Sequence, residues 1–269
     1  MMPSLVAPLF VPGNRPDQFP KAGASGANAV IYDLEDAVSP GEKDIARMAI
    51  ARRPQAFVYE IVRVNAMSSG LLNRDLEALS AKPPSAVMVA KTEGLEDLEK
   101  VVTKLGSQIA LIPLIETARG MARLSGILAV GNILCAAFGS IDFALDIGSK
   151  HERLALLSAR SELVLQSRLA NRQSPIDGVT MAIDDAMAIK DDASHAKALG
   201  FGGKLAIHPR QIEPILSAFS ATDEEVAWAK HVLQLALDGN AQKVDGQMID
   251  RPVLERARSI LAVHKTMPS

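Results

Sequence analysis

Three carboxylates close the stretch VIYDLEDAV, residues 30–38: Asp33, Glu35 and Asp36 follow directly on the apolar Val30, Ile31 and Tyr32. Charge at the end of a core strand is costly unless it is paired or binds a cation. The stretch therefore calls for a basic partner or a metal. Two more charged residues interrupt apolar runs. VRV sets Arg63 inside a strand-like segment, and IPLIE runs from the core straight into Glu116. Asp142 follows in FGSID. Acids in this pattern suit a hard divalent cation, because Mg2+ prefers oxygen ligands and usually takes only one or two carboxylates. Glu116 and Asp142 form the best direct pair. Asp33, Glu35 and Asp36 then stand behind them, orienting metal-bound water or pairing with Arg63.

Other chemistries find little support. No His/Cys cluster has zinc spacing. There is no Walker loop, and the glycines of GFGGK, residues 200–204, are too weak a phosphate signal alone. The lone Cys135 lies in the apolar run ILCAAFG and reads as a small core residue. A single cysteine makes no intramolecular disulfide, which fits a reducing compartment. His208 precedes Pro209 and reads as a packed or capping residue rather than a catalytic one.

These side chains need elements to position them. Short apolar runs alternate with helical patterns along the chain. The runs cover residues 5–11, 29–34, 57–64, 86–90, 109–115, 133–138, 176–180 and 204–208. They are β-rich and apolar on both faces, as strands of a covered parallel sheet are. Helical patterns fall at Glu42–Arg52, Leu95–Leu105, Leu154–Ala170, Asp184–Leu199 and Gln211–Phe219. That makes about eight βα units, the count of a (β/α)8 TIM barrel. A doubly wound open sheet is the alternative, but the first turn, VPGNRP, lacks the GxGxxG fingerprint. Barrel active sites sit at the C-terminal ends of the strands. Every run here delivers something polar to that end: Asn14 and Arg15, then Asp33, Glu35 and Asp36, then Arg63 and Asn65, Lys91, Glu116, Ser140 and Asp142, Asp177, and His208. The barrel is expected over residues 1–221. A C-terminal helical extension over 222–269, with helices at Thr222–Leu237 and Val253–Lys265, would cap it or reach another subunit.

Composition removes several partners. Net charge is −2, which gives no electrostatic reason to bind nucleic acid or an anionic membrane. Aromatics make up only 4%, so base-stacking platforms are not expected. The opening MMPSLVAPLFVPG has no basic n-region and is broken by Pro3, Pro8 and Pro12, so it does not read as a signal peptide. No apolar run reaches the roughly 18 residues of a membrane span. The expectation is a soluble cytoplasmic protein.

The stretches LFVPGNRPDQF, ANAVIYDLEDAV, VRVN, VMVAKTEGLEDL, LIPLIETARG, AAFGSIDFALDIG, SPIDGVT, GFGGKLAIHPRQI and VDGQMIDRPV occur in order from residue 9 to 253. Together they resemble the citrate lyase beta-chain-like family, which includes malyl-CoA and citramalyl-CoA lyases. The resemblance implies a (β/α)8 barrel with Mg2+ that cleaves a 3-hydroxyacyl thioester to acetyl-CoA and a 2-oxo acid. It implies Glu116 and Asp142 as metal ligands and Arg63 as the group that binds the acyl part. It also implies that Asp250 of MIDRPV, contributed by a neighbouring subunit, moves the proton at the acetyl carbon. Family members are trimers or hexamers. Related pyruvate-type aldolases carry a histidine in a DxEH pattern where this chain has DLED, with Asp36 in that place, which disfavours their base chemistry. Arg15 and Lys21, near the first strand end, are the candidates for the phosphates of CoA. Two rivals share the scaffold: a thioesterase releasing free CoA, and a subunit of a multi-chain citrate lyase.

Overall fold

The structure, a computed structural model, describes residues 4–54, 59–237 and 250–266. Eight strands run parallel in sequence order: β1 (Pro8–Pro12), β2 (Ala29–Asp33), β3 (Tyr59–Val64), β4 (Ala86–Val89), β5 (Ala110–Ile115), β6 (Ala137–Phe138), β7 (Ile176–Asp177) and β8 (Gly203–Lys204). Just past β8, Ala206 bridges to Leu9 in parallel. Its carbonyl accepts from the Phe10 N–H at 2.8 Å, and its own N–H donates to Pro8 at 2.9 Å. Those bonds join the last strand to the first and close the barrel, so the open-sheet alternative falls.

Helices alternate with the strands: α1 (Phe19–Gly23), α2 (Lys43–Ala51), α3 (Leu72–Leu79), α4 (Leu95–Leu105), α5 (Ala118–Ala122), α6 (Leu124–Leu128), α7 (Ser140–Asp146), α8 (Leu157–Leu169), α9 (Ala186–Leu199) and α10 (Ile212–Phe219). The buried core holds Ala29 and Ile31, Ile61, Ala86 and Met88, Ile112 and Leu114, Ala137 and Ile176. These are alternate residues of successive strands, as a period of two requires.

Several elements differ from the sequence expectations. The runs 133–138, 176–180 and 204–208 shrink to strands of two residues each. Their backbones still pair, as where Leu134 donates to Leu111 at 3.0 Å and accepts from Gln173 at 3.2 Å, but not in an unbroken ladder. Helix α3 is not among the expected helices, although Leu72, Leu76 and Leu79 bury at helical spacing. The pattern over Leu154–Ala170 predicts an amphipathic helix. In α8 Leu157, Leu165 and Leu169 instead face outward while Arg160 is buried, drawn in by an ion pair described below.

The chain divides into two compact units, Met1–Ala218 and Phe219–Ser269. In the second, α11 (Asp223–Leu237) packs on α12 (Arg251–Thr266) around Ala229, Val232 and Ala257. Arg256 lies over the Trp228 ring at 5.1 Å. Most of the expected loop between these helices lies outside the described residues.

Candidate active site

Strand parity aims the key side chains. Ala29, Ile31 and Asp33 alternate on one face of β2, and Ile61 and Arg63 on the same face of β3. Asp33 and Arg63 are register partners. On β5, Ile112 and Leu114 lead by the same step to Glu116. Each of these three strands thus ends its inward row in a charge.

Arg63 is locked by acids. Its Nε and one terminal nitrogen donate to the two oxygens of Asp33, each at 2.7 Å, a bidentate fork. The other terminal nitrogen lies 3.1 Å from Glu35 and 3.7 Å from Asp36. Its guanidinium also sits 4.7 Å from the centre of the Phe10 ring. Burial alone would raise the Asp33 pKa, but Arg63 and the N–H groups of Glu35 and Ala37 outweigh it and hold the carboxyl below its usual range. The Glu35 backbone is itself pinned: Lys43 Nζ donates to the carbonyls of Leu34 and Glu35 and to Asn65, at 2.7, 2.7 and 3.0 Å. Of the two roles expected for the 33–36 acids, the pairing with Arg63 is the one seen. Asp36, exposed, contributes least.

Glu116 is 2% exposed, and among the described residues one hydrogen bond reaches its carboxylate: the Lys91 main-chain N–H at 2.7 Å. Burial pushes its pKa up to about 8. Arg63 opposes that shift and Glu35 adds to it. Lys91 Nζ lies 2.6 Å from the other partner, Glu35. Asp33, Glu35 and Glu116 thus lie around Arg63 and Lys91, with the buried Lys43 also near Asp33 and Glu35 and the exposed Asp36 beside Arg63. Glu116 keeps its proton up to about pH 8 and is the carboxyl that a bound cation would turn to its charged form.

Asp142 stands in the first turn of α7, two residues after Ser140. Leu114 pairs with Ala137, so Glu116 falls opposite Gly139, the residue that precedes α7. A Cβ at Gly139 would collide with the Glu116 side chain. The glycine thus lets Glu116 lie against the turn that carries Asp142. Among the described residues no three of His, Cys, Asp and Glu gather as a metal cluster. A pair of carboxylates is what Mg2+ asks for, and Glu116, buried with one N–H on its carboxylate, keeps oxygen lone pairs free to ligate it.

A second buried network gathers around Asp177, the polar residue expected on the seventh strand. Lys204, fully buried on β8, lies 2.9 Å from Asp177 and 2.9 Å from Asp192 of α9. Arg160 of α8 donates to Asp177 at 2.9 Å and lies 5.5 Å from the Phe138 ring centre. Thr180 donates to Asp192 at 2.6 Å. The strand-end signal marks Asp177, but Arg160 and Asp192 come from helices and give none.

The remaining expected residues lie elsewhere. Arg15 forms an exposed pair with Asp17 at 2.9 Å, and Lys21 is exposed on α1. His208 accepts from the Arg210 N–H at 3.2 Å and caps a short turn, as expected. Cys135 is buried, and burial pushes its thiol up to about 12. Asp250, exposed in the second unit, caps α12 by accepting from the Val253 N–H at 3.1 Å.

Residues 7–209 match the family model described as HpcH/HpaI aldolase/citrate lyase. The mitochondrial citramalyl-CoA lyase of Rattus norvegicus is 32% identical over 288 residues, covering 96% of this chain and 85% of the relative. A (3S)-malyl-CoA thioesterase of Cereibacter sphaeroides is 31% identical over 267 residues, covering 94% and 92%. The crystal structure of CitE from Mycobacterium tuberculosis with magnesium, acetoacetate and coenzyme A superposes with a TM-score of 0.88 at 31% identity, covering 97% of this chain and 98% of that one.

Proposed function

The chain belongs to the HpcH/HpaI aldolase/citrate lyase family, and from that premise we propose how its own residues carry the chemistry. It is a Mg2+-using carbon–carbon lyase acting on an acyl-CoA substrate. The substrate class is a 3-hydroxyacyl-CoA of citramalyl-, malyl- or citryl-CoA type, cleaved to acetyl-CoA and a 2-oxo acid. The observation that carries the reading is Glu116: a buried carboxylate that makes no ion pair within 4 Å among the described residues, laid by Gly139 against the turn bearing Asp142.

Glu116 and Asp142 would hold Mg2+, which when bound supplies Lewis-acid polarisation of the hydroxy-acid oxygens. Arg63, fixed by Asp33 and Glu35, places its charge where the thioester oxygen becomes negative. In the cleavage step a carboxylate of the site takes the proton of the substrate hydroxyl, which becomes the oxo group. The carbon–carbon electron pair passes to the acetyl carbon. A carboxylic acid then protonates that carbon, and Asp250 of a neighbouring subunit is the group for this step. Glu35 and Asp36 keep Arg63 neutralised, and Arg15 and Lys21 serve the CoA phosphates. A homotrimer or homohexamer suits the surface. Among the described residues fifteen large hydrophobic side chains are exposed, and eleven of them fall between Ile141 and Ile207. No helix among the described residues is long and apolar enough to cross a membrane. A single buried cysteine suits a reducing, cytoplasmic setting.

The second reading is hydrolysis of the thioester, favoured by the thioesterase among the relatives. Mass spectrometry separates the two. The protein is mixed with Mg2+, acetyl-CoA and each oxo acid in turn, with a chelator control. A condensed hydroxyacyl-CoA that vanishes with chelator establishes the lyase and names the oxo acid. Free CoA without a surviving condensed product favours hydrolysis, and no reaction in any tube sinks both.

A further inference from the structure

We propose that Lys91 is a two-ended positioning residue: its main-chain N–H fixes Glu116, and its ammonium fixes Glu35 beside Arg63. The inference rests on the reading of Glu116 as a metal ligand. It begins from the backbone. Lys91 has φ +46°, in the left-handed region, which disfavours any residue with a Cβ. Among the described residues the one other non-glycine with positive φ is Asn171, a residue type that tolerates the turn. A lysine there is held by its surroundings rather than by its own preference.

Those surroundings are the flanking sheet bonds and, at the far end of the side chain, the Glu35 carboxylate. Ala90, before it, donates its N–H to Val64 at the end of β3 at 3.3 Å, and Thr92, after it, donates to Leu114 of β5 at 3.1 Å. The fully buried Thr92 closes the turn with its hydroxyl on the Val89 carbonyl at 2.8 Å. The chain thus changes neighbour from one strand to the other across Lys91. The Lys91 N–H is left over from both ladders, and it points to Glu116 at 2.7 Å. The same turn sends the side chain the other way. Nζ reaches one oxygen of Glu35 at 2.6 Å, while the other Glu35 oxygen faces Arg63 at 3.1 Å. A surface lysine pairing with one acid would explain the second contact but not the first. One residue therefore spans the metal half and the guanidinium half of the site.

Three variants of the full chain separate the two ends: Lys91→Gly, Lys91→Ala and Lys91→Arg. Mg2+ affinity is measured by calorimetry on metal-free protein without substrate, and turnover separately. Glycine takes the left-handed turn freely and keeps the N–H, so K91G is expected to bind Mg2+ within about threefold of wild type. Its turnover falls by about 10–100-fold, because a charge-assisted contact to Glu35 is gone. K91R restores most of that turnover by returning the charge. K91A lacks the ammonium that holds the disfavoured turn, which relaxes, and Mg2+ binding weakens by about tenfold relative to K91G. K91A binding as tightly as K91G, or K91G turning over like wild type, overturns the proposal. Where K91A does not fold, K91G, which relieves the turn, decides by its turnover. Glu116→Gln is the control. If it still binds Mg2+ like wild type, the metal reading itself fails. If it loses Mg2+ while the Lys91 variants behave as wild type, only the role of Lys91 fails.

Discussion

Two of the buried ion networks in the barrel differ in what they leave unpaired. On the side of β7 and β8, Lys204 and Arg160 meet Asp177 and Asp192, at 2.9 Å in each contact. On the side of β2 to β5, Arg63 and Lys91 face Asp33, Glu35 and Glu116. In the first network each acid has a cation, Arg153 adds a 3.6 Å contact to Asp192, and one terminal nitrogen of the buried Arg160 is left without a hydrogen-bond partner among the described residues. The second leaves Glu116 with one main-chain donor and a pKa pushed to about 8. Burial of charge is common to both, so burial alone does not mark the site. A buried carboxyl with no ion-pair partner among the described residues does.

Replacing the central cation of each network tests that contrast. Arg63→Ala is expected to lose about 10²–10³-fold in turnover. It also strands the fully buried Asp33, at a stability cost of about 3–5 kcal/mol. From the amino-acid sequence alone this variant is expected to fold intact; the buried fork to Asp33 is what changes the expectation. Lys204→Met takes one of two cations from Asp177 and leaves Arg160 at 2.9 Å, so it is expected to lose less, about 1–3 kcal/mol, while Mg2+ affinity stays as in wild type. Denaturant unfolding and calorimetry on both variants check this. Equal damage to Mg2+ binding in K204M would erase the distinction between the two networks.

The pH dependence sharpens it further. An acid whose folded pKa lies above its unfolded one keeps its proton in the folded chain after the unfolded chain has lost it. Through Glu116, then, the metal-free protein loses stability as pH rises from the ordinary glutamate range to about 8, and no more beyond. Asp33 works the other way. Its folded pKa is depressed, so its contribution is full above the ordinary aspartate range and is lost as pH falls through the depressed value. Mg2+ must displace the Glu116 proton, so its affinity should climb by up to about tenfold per pH unit below 8 and then level. Melting curves and Mg2+ titrations from about pH 5 to 9 check both slopes. A flat Mg2+ affinity across that range would take Glu116 out of the metal site.

Much of the network around Arg63 and Glu116 is legible in the amino-acid sequence. VRV and IPLIE each break an apolar run with a charge, and both residues sit where strand parity puts them. The barrel follows from counting runs. Other features are hidden for physical reasons. The strand-like runs of the second half are irregular because their pairing shifts partner, which no periodicity reports. Arg160 and Asp192 lie on helices, where a charge ordinarily means solvent. Lys91 reads as a strand end, yet the role inferred for it depends on a backbone turn that residue type does not announce. Gly139 carries a signal that needs the register: counted from the pairing of Leu114 with Ala137, it stands opposite Glu116.

That glycine supplies the mildest test. Gly139 has φ −85°, a conformation open to any residue, so alanine there adds no backbone strain. What alanine adds is a methyl where the Glu116 side chain now lies. The backbone of Gly139 is tied down, its N–H donating to the Ile115 carbonyl at 2.9 Å, and its carbonyl accepts from Phe143 at 2.9 Å. The side chain of Glu116 must therefore move, and its bond to the Lys91 N–H lengthens or breaks. A hydrogen bond of that kind is worth about 1 kcal/mol, so Gly139→Ala should weaken Mg2+ by about fivefold to tenfold. The network around Lys204 beyond β6 has no part in this contact, so unfolding should change by less than in the variants above. Calorimetry of G139A beside G126A, a glycine with open space around its Cβ position, isolates the effect. Equal Mg2+ affinity in the two would mean that Glu116 can serve the metal from another rotamer, and that the site is set by Asp142 and the turn of α7 rather than by the packing of Glu116.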